Sequence, residues 1–209
     1  FRNYDMQKGG LGAPLVPEFH KYLFAESNKR KIILNIGGIS NGTYLDGNNI
    51  KIATDIGPGN CLIDLVAMRH FGIPFDEDGK IASKGQINEK ILDNLLEKIR
   101  AAKYPRADDK SFYYGLNELN SDTPENLLTT LSELTAICIS DFCNTFDEPH
   151  EILLHGGGAK NNFLLERLEK NIGSSLKLTD HIISAKFLES AAFAYLAFLE
   201  KGLLIEPRL

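Results

Sequence analysis

The chain is poor in several features, and each shortage removes a class of protein. Only three of its 209 residues are cysteine: Cys61, Cys138 and Cys143. Three are too few for a disulfide framework, and their spacing is not that of metal ligands. They read as reduced, semi-buried thiols of a cytosolic protein. No run of about 18 apolar residues occurs, so no membrane span is expected, and no signal-peptide pattern is visible. Basic residues are not in excess. Lys and Arg number 23 against 28 Asp and Glu, a net charge of −5, which argues against nucleic acid or an anionic membrane as the main partner. The histidines (His20, His70, His150, His155 and His181) show no metal pairing, and His155, at a strand end, reads as structural. Internal repeats and low-complexity segments are lacking too.

What is present is an ordinary globular composition, 43% apolar and 24% charged, long enough for one large domain or one lobe of a bigger protein. Phe1-Arg2-Asn3-Tyr4-Asp5 reads as the exit from an earlier strand, and Glu206-Pro207-Arg208-Leu209 stops without a cap. The expectation is part of a longer chain.

Three glycine turns follow apolar runs: Asn35-Ile36-Gly37-Gly38, Asp55-Ile56-Gly57-Pro58-Gly59-Asn60, and Gly156-Gly157-Gly158-Ala159. Glycines at strand ends let backbone approach a ligand closely and aim N–H groups at phosphate. Three in one chain point to a nucleotide or phosphorylated-sugar site. The bland alternative for each is a tight packing turn.

Residues 1–18 read as loop, and 19–24 as a short helix or strand edge. Strands are expected over 31–34, 41–45 and 50–54, with Asp46-Gly47-Asn48-Asn49 as a hairpin turn. Helical spacing covers 60–71 and, more clearly, 87–103. Residues 104–120 read as irregular. Thr123 and Pro124 start a helix running to about 146. A strand at 151–155, a helix at 161–171 and a last helix at 184–201 complete the order. A meander followed by helices and a strand–helix–helix run predicts an α/β lobe with a mixed sheet.

Each turn has its own chemistry. Asp55 offers a carboxylate for magnesium or a hydroxyl, and Gly57, Gly59 and Asn60 open a helix whose N-terminus favours phosphate. It is not a Walker loop, because the Gly-Lys-Ser/Thr ending is missing. Gly156, Gly157 and Gly158 ahead of the Asn161 helix leave room for a flat purine. Asn35, Gly37, Gly38 and Asn41 join two strands with more glycine than a plain hairpin needs. Asp5 stands ahead of Gly9, Gly10 and Gly12 and is a candidate general base; a surface acid is the alternative.

Together these residues resemble the anhydro-N-acetylmuramic acid kinase family. The resemblance lies in Phe1-Arg2-x-x-Asp5 with Gly9-Gly10-x-Gly12-Ala13-Pro14, Asn35 to Leu45, Asp55-x-Gly57-Pro58-Gly59-Asn60 with Asp64, Leu131 to Ala136, Gly156 to Asn161 and Glu189 to Ala194. It spans essentially the whole chain.

The resemblance implies a two-lobed sugar kinase, hexokinase and actin-like (ribonuclease H-like) fold, of which residues 1–209 would be mainly the C-terminal lobe. It implies ATP and Mg2+ as cofactors and a small sugar, 1,6-anhydro-N-acetylmuramic acid, as substrate. Water opens the anhydro ring while ATP phosphorylates the 6-oxygen, a step of cytoplasmic cell-wall recycling. Asp5 is carried over as catalytic. Gly9, Gly10, Asn35, Gly37, Gly38, Asn41, Asp55, Gly57, Gly59 and Asn60 fall to phosphate and sugar, and Gly156, Gly157, Gly158 and Asn161 to adenosine. A homodimer is admitted, since the helix 127–146 suits either the core or a partner face.

Two departures accompany it. The family's first phosphate loop is not in these residues, so the chain alone is not expected to turn over. Where the family carries Lys-Ser-Thr-Gly-Arg-Glu, this chain reads Lys110-Ser111-Phe112-Tyr113-Tyr114. The second leaves open a non-catalytic binding relative, or a sugar kinase with another substrate.

Overall fold

A computed structural model describes residues 15–146 and 151–199, together with Gln7 and Gly9. Asp5 and Gly10 lie outside the described residues.

A five-stranded mixed sheet has the order β3-β2-β1-β4-β5. Strands β1 (Arg30–Ile36), β2 (Ile39–Asp46) and β3 (Asn49–Pro58) form the expected antiparallel meander. Strand β4 (Glu151–His155) adds parallel to β1, and the two-residue β5 (Lys177–Leu178) adds parallel to β4. β1 is central, which accounts for its unbroken Ile32-Ile33-Leu34 run: a strand covered on both faces has no polar side. Ile32, Leu34 and Ile36 enter the main core with Ile152 and Leu154. Ile33 turns the other way and packs with Leu45, Leu153 and Phe24.

Helices cover both faces. Facing the main core are α2 (Cys61–Phe71), α3 (Glu89–Arg100), α5 (Pro124–Cys143) and α6 (Asn162–Ile172). On the other face lies α1 (Pro17–Phe24), against which α7 (Ala185–Leu199) packs Leu188 and Ala192 on Phe19. The short α4 (Lys110–Tyr114) follows α3. Local signals start these helices where the sequence places them. Thr123 caps α5 with Pro124 in its first turn, Asn88 caps α3 through the Ile91 N–H, and α2 and α6 end at Gly72 and Gly173 in the left-handed region. α5 is buried from Leu127 to Cys143 over nearly every side chain. Its apolar faces fill the core, so it does not present a partner face.

Four expectations need correction. Residues 55–58 are not a turn after a strand; they continue β3, because Asp55, Gly57 and Pro58 pair with Asn41, Ser40 and Ile39 of β2, and Arg106 lies against the outer edge. The Asp55 N–H donates to the Arg106 carbonyl, and the Arg106 N–H donates to Thr54 Oγ1 at 2.8 Å. Pro17 lies in the first turn of α1 rather than in loop, and the 104–120 stretch contains α4 and a 3-10 turn at Asn117–Asn120. β5 was not expected: two residues are too few for an alternation pattern.

The sheet and α5 meet without slack at Gly42 on β2, where a Cβ would collide with the Phe142 ring. We expect Gly42→Ala to lower stability by about 1–3 kcal/mol through overpacking. An unchanged denaturant midpoint would refute this contact.

Candidate functional site: a cleft floored by backbone

The glycine segments converge through hydrogen bonds that only bare backbone permits. β1 and β2 are joined at Gly37-Gly38. The turn after β3 docks there, with the Asn60 N–H donating to the Gly37 carbonyl at 2.8 Å and the Gly59 and Cys61 N–H groups both donating to the Gly38 carbonyl at 3.0 Å. From behind, the Thr135 hydroxyl on α5 hydrogen-bonds the Pro58 and Gly59 carbonyls at 3.1 and 3.0 Å. The third segment closes from β4. A Cβ at Gly156 would strike the Asn35 side chain and the Ile36 carbonyl, and one at Gly158 would strike the Ile36 side chain. Gly156 also has φ +94°, a conformation that favours glycine.

Gly157 differs from its neighbours. A Cβ there would meet only Asn60 Nδ2, at 3.8 Å. It faces a cleft of about 550 Å³ lined by Asn60, Ile63, Asp64, Phe75, Asp78 and Gly158, with Asp76, Glu77, Lys160 and Asn161 completing it. Ligand pockets commonly run to ~300–1,000 Å³.

Of the expected site residues, Asn60, Gly157, Gly158 and Asn161 line the cleft. Asn161 is also tied up as the cap of α6, accepting the Leu164 N–H at 3.0 Å. Asn35, Gly37, Gly38, Gly59 and Gly156 form the layer directly beneath. Asn41, Asp55 and Gly57 are not brought into the cleft. Asn41 pairs with both Asn35 and Asp55 within the sheet. Gly57 packs on Cys138. Asp55 is 6% exposed, and its carboxylate accepts the Asp108 N–H at 2.8 Å. Gly9, at φ +87°, is exposed.

Among the acids that do line the cleft, the one on a helix is Asp64 of α2. Burial pushes its carboxyl up to about 6, and the Lys110 ammonium opposes that rise. Lys110 lies across Gly38, where a Cβ would overlap its side-chain end. Asp64 entered the sequence reading only as part of the family pattern beside Asp55 to Asn60, with no role assigned, because helical periodicity alone makes it look like any polar helix residue. Phe75 and Asp76–Asp78 were missed as well, because the loop that carries them has no periodic pattern.

No group of three or more His, Cys, Asp or Glu side chains among the described residues is arranged to hold a metal. The cleft does present single carboxylates such as Asp64, and a magnesium ion that came with nucleotide phosphates would need only one or two of them. The three cysteines are free and buried, and burial raises their thiols to about 11 (Cys61) and about 12 (Cys138 and Cys143), which disfavours the reactive thiolate. Among the described residues no helix is long and apolar enough to cross a membrane.

The strand order and two-faced helix cover define a protein class. The activator of the 2-hydroxyisocaproyl-CoA dehydratase from Clostridium difficile, solved with bound ADPNP, matches 93% of this chain and 70% of its own, with a TM-score of 0.54 and 13% identity. The xylulose kinase from Rhodospirillum rubrum matches 90% of this chain and 42% of its own, with a TM-score of 0.54 and 12% identity. The architecture is thus that of the actin-like and sugar kinase ATPase fold.

Within it, the chain belongs to the anhydro-N-acetylmuramic acid kinase family, whose model matches residues 1–203. Relatives of that name include one from Haemophilus influenzae, 36% identical over 95% of this chain and 57% of its own length, and one from Nitrosospira multiformis, 39% identical over 94% and 56%. The chain spans a little over half the length of these relatives.

Behind the glycine floor lies a buried histidine pair. His155 ends β4, and its Nε2 is 3.1 Å from Nε2 of His20 on α1, whose Nδ1 is 2.9 Å from Thr43 Oγ1. The separation suits one Nε2–H donating to the other Nε2, and burial favours the neutral form of both rings. Burial lowers both: His155 falls to about 4 against the pull of Asp180, and His20 lies well below its ordinary value, with His155 adding to the effect. Folded values below the unfolded ~6.5 mean that the unfolded chain takes up protons first. The stabilisation is complete above about pH 6.5 and is lost as pH falls toward about 4. We expect the denaturant midpoint to drop between pH 7 and 5.5, and the drop to shrink in His155→Gln. A midpoint flat across that range would remove the pair as its cause.

Proposed function

We propose that the protein is an ATP-dependent kinase that opens 1,6-anhydro-N-acetylmuramic acid with water and phosphorylates its 6-oxygen. The products are N-acetylmuramic acid 6-phosphate and ADP, in cytoplasmic cell-wall recycling. Family membership and the ATPase fold support the reading. The observation that carries it is the open face of Gly157, set between two glycines that are closed against Asn35 and Ile36. Three strand ends meet there and leave backbone facing a concave space, which suits a nucleotide.

In this reading the chain supplies mainly the C-terminal lobe, and the further length of its relatives supplies a facing lobe with the first phosphate loop. Gly157, Gly158 and Asn161 seat adenosine. Asn60 and the Gly37-Gly38 turn lie toward the phosphates. Asp5 and the glycines at 9 and 10 belong to the sugar side, with Asp5 as general base. Asp64 is the cleft carboxylate that would hold magnesium brought in with ATP, and the ion would supply offsetting charge to the phosphates. Closure of the two lobes excludes water other than the attacking one.

Gly157→Val adds bulk that meets little protein, so the fold should persist while the cleft fills. We expect at least about tenfold weaker ATP binding by calorimetry, of the order of losing one well-placed contact of ~1.4 kcal/mol; unchanged affinity would refute the adenosine placement. For the substrate, the full-length protein is expected to release ADP with 1,6-anhydro-N-acetylmuramic acid in a coupled assay. Turnover with glucose or a hexosamine but not with this sugar would overturn the substrate assignment. Nucleotide binding without any turnover would favour a non-catalytic relative.

A further inference from the structure

The loop between α2 and α3 lines the same cleft as the glycines, and it is unusually well fastened. Asp76 accepts the Ile81 and Ala82 N–H groups, each at 2.9 Å. Asp78 has φ +64°, the only non-glycine residue in that region among those described, and its carboxylate accepts the Asn162 N–H at 3.4 Å. Gly79 sits so close to Phe163 and Asn161 that no Cβ fits. The loop is therefore pinned to itself and to the start of α6.

Within this fixed loop Phe75 is 56% exposed, and its ring lines the cleft together with Asn60, Gly157 and Gly158. A lone exposed aromatic calls for no explanation. One held by a rigid loop in a cleft that also exposes bare backbone at Gly157 is different, because a ring face and bare backbone are both surfaces on which a planar group can lie. The same loop also brings Glu77 and Asp78 to the rim. These carboxylates repel phosphate and accept N–H donors, so the end of a nucleotide that lies here is its base.

Resting on the nucleotide reading above, we propose that Phe75 stacks on the nucleobase and thereby positions the nucleotide. The ring contributes through its face rather than through a hydrogen bond, so any flat aromatic side chain should serve. Because Phe75 is exposed, its truncation leaves the core intact.

The test is calorimetry on the full-length protein with a non-hydrolysable ATP analogue, adenosine and the anhydrosugar as separate probes. We expect Phe75→Ala to weaken the analogue and adenosine by about tenfold, in line with base–aromatic stacking. Phe75→Tyr should bind both within about twofold of the original, and the thermal midpoint of both variants should be unchanged. If Phe75→Ala binds the analogue normally while Gly157→Val does not, the nucleotide seat stands and the stacking role falls. If Phe75→Ala weakens only the sugar, the ring is a sugar platform and the proposal is overturned. Absence of analogue binding by the unaltered protein removes both readings.

Discussion

Everything at the candidate site depends on glycine backbone lying against its neighbours so closely that no Cβ fits between them. The Gly59 turn lies on Gly37, and Gly156 and Gly158 lie on Asn35 and Ile36, at separations that a single Cβ would violate. Close packing resists even a methylene's worth of extra volume. The three segments come from β1–β2, β3 and β4, so the contact also fixes how the halves of the sheet meet. Thr135 reaches the same turn from the buried helix α5, tying the floor to the core.

With the floor reserved for backbone, charge is held around its edges. On one side, Arg106 is 9% exposed and donates to the Ile99 carbonyl at 2.8 Å and to the Ile56 carbonyl, and pairs with Asp108 at 3.3 Å. Asp108 in turn accepts the Tyr113 hydroxyl at 2.5 Å. This network covers the edge strand β3, which would otherwise expose unpaired backbone groups. It also commits Asp55 to structure. On the other side, Asp64 stays at the cleft with its carboxyl raised by burial. Two acids, nine positions apart, thus have different tasks because one faces a neighbouring loop and the other a concave space.

Much of this was legible in the chain itself. Apolar runs located the meander, capping residues such as Thr123 and Asn88 located helix starts, and glycine clusters marked the floor. What the sequence withheld were relationships between distant segments. Asp55 and Asp64 are both acids near glycines, and only the path of residues 104–108 decides which of them is buried. The three glycines at 156–158 look equivalent in a string, yet their surroundings make two structural and one open. Phe75 carried no signal because a loop residue has no periodicity. The pairing of His20 with His155 spans 135 positions, beyond any local pattern.

The parallel pairing of β1 with β4 has a consequence for how the molecule is made. Lys31 pairs with Glu151, 120 positions later. Contacts between such distant residues require closing a long loop before they are rewarded, which slows folding. The β1–β3 meander has only local pairings and forms from a continuous stretch. The cleft, by contrast, has no second wall until the segment after β4 has been synthesised and docked. During synthesis, the β4-facing edge of β1 therefore stays open for more than a hundred residues of chain growth. That bare edge is the point at which a chaperone, or a neighbouring nascent chain, would find the molecule most receptive.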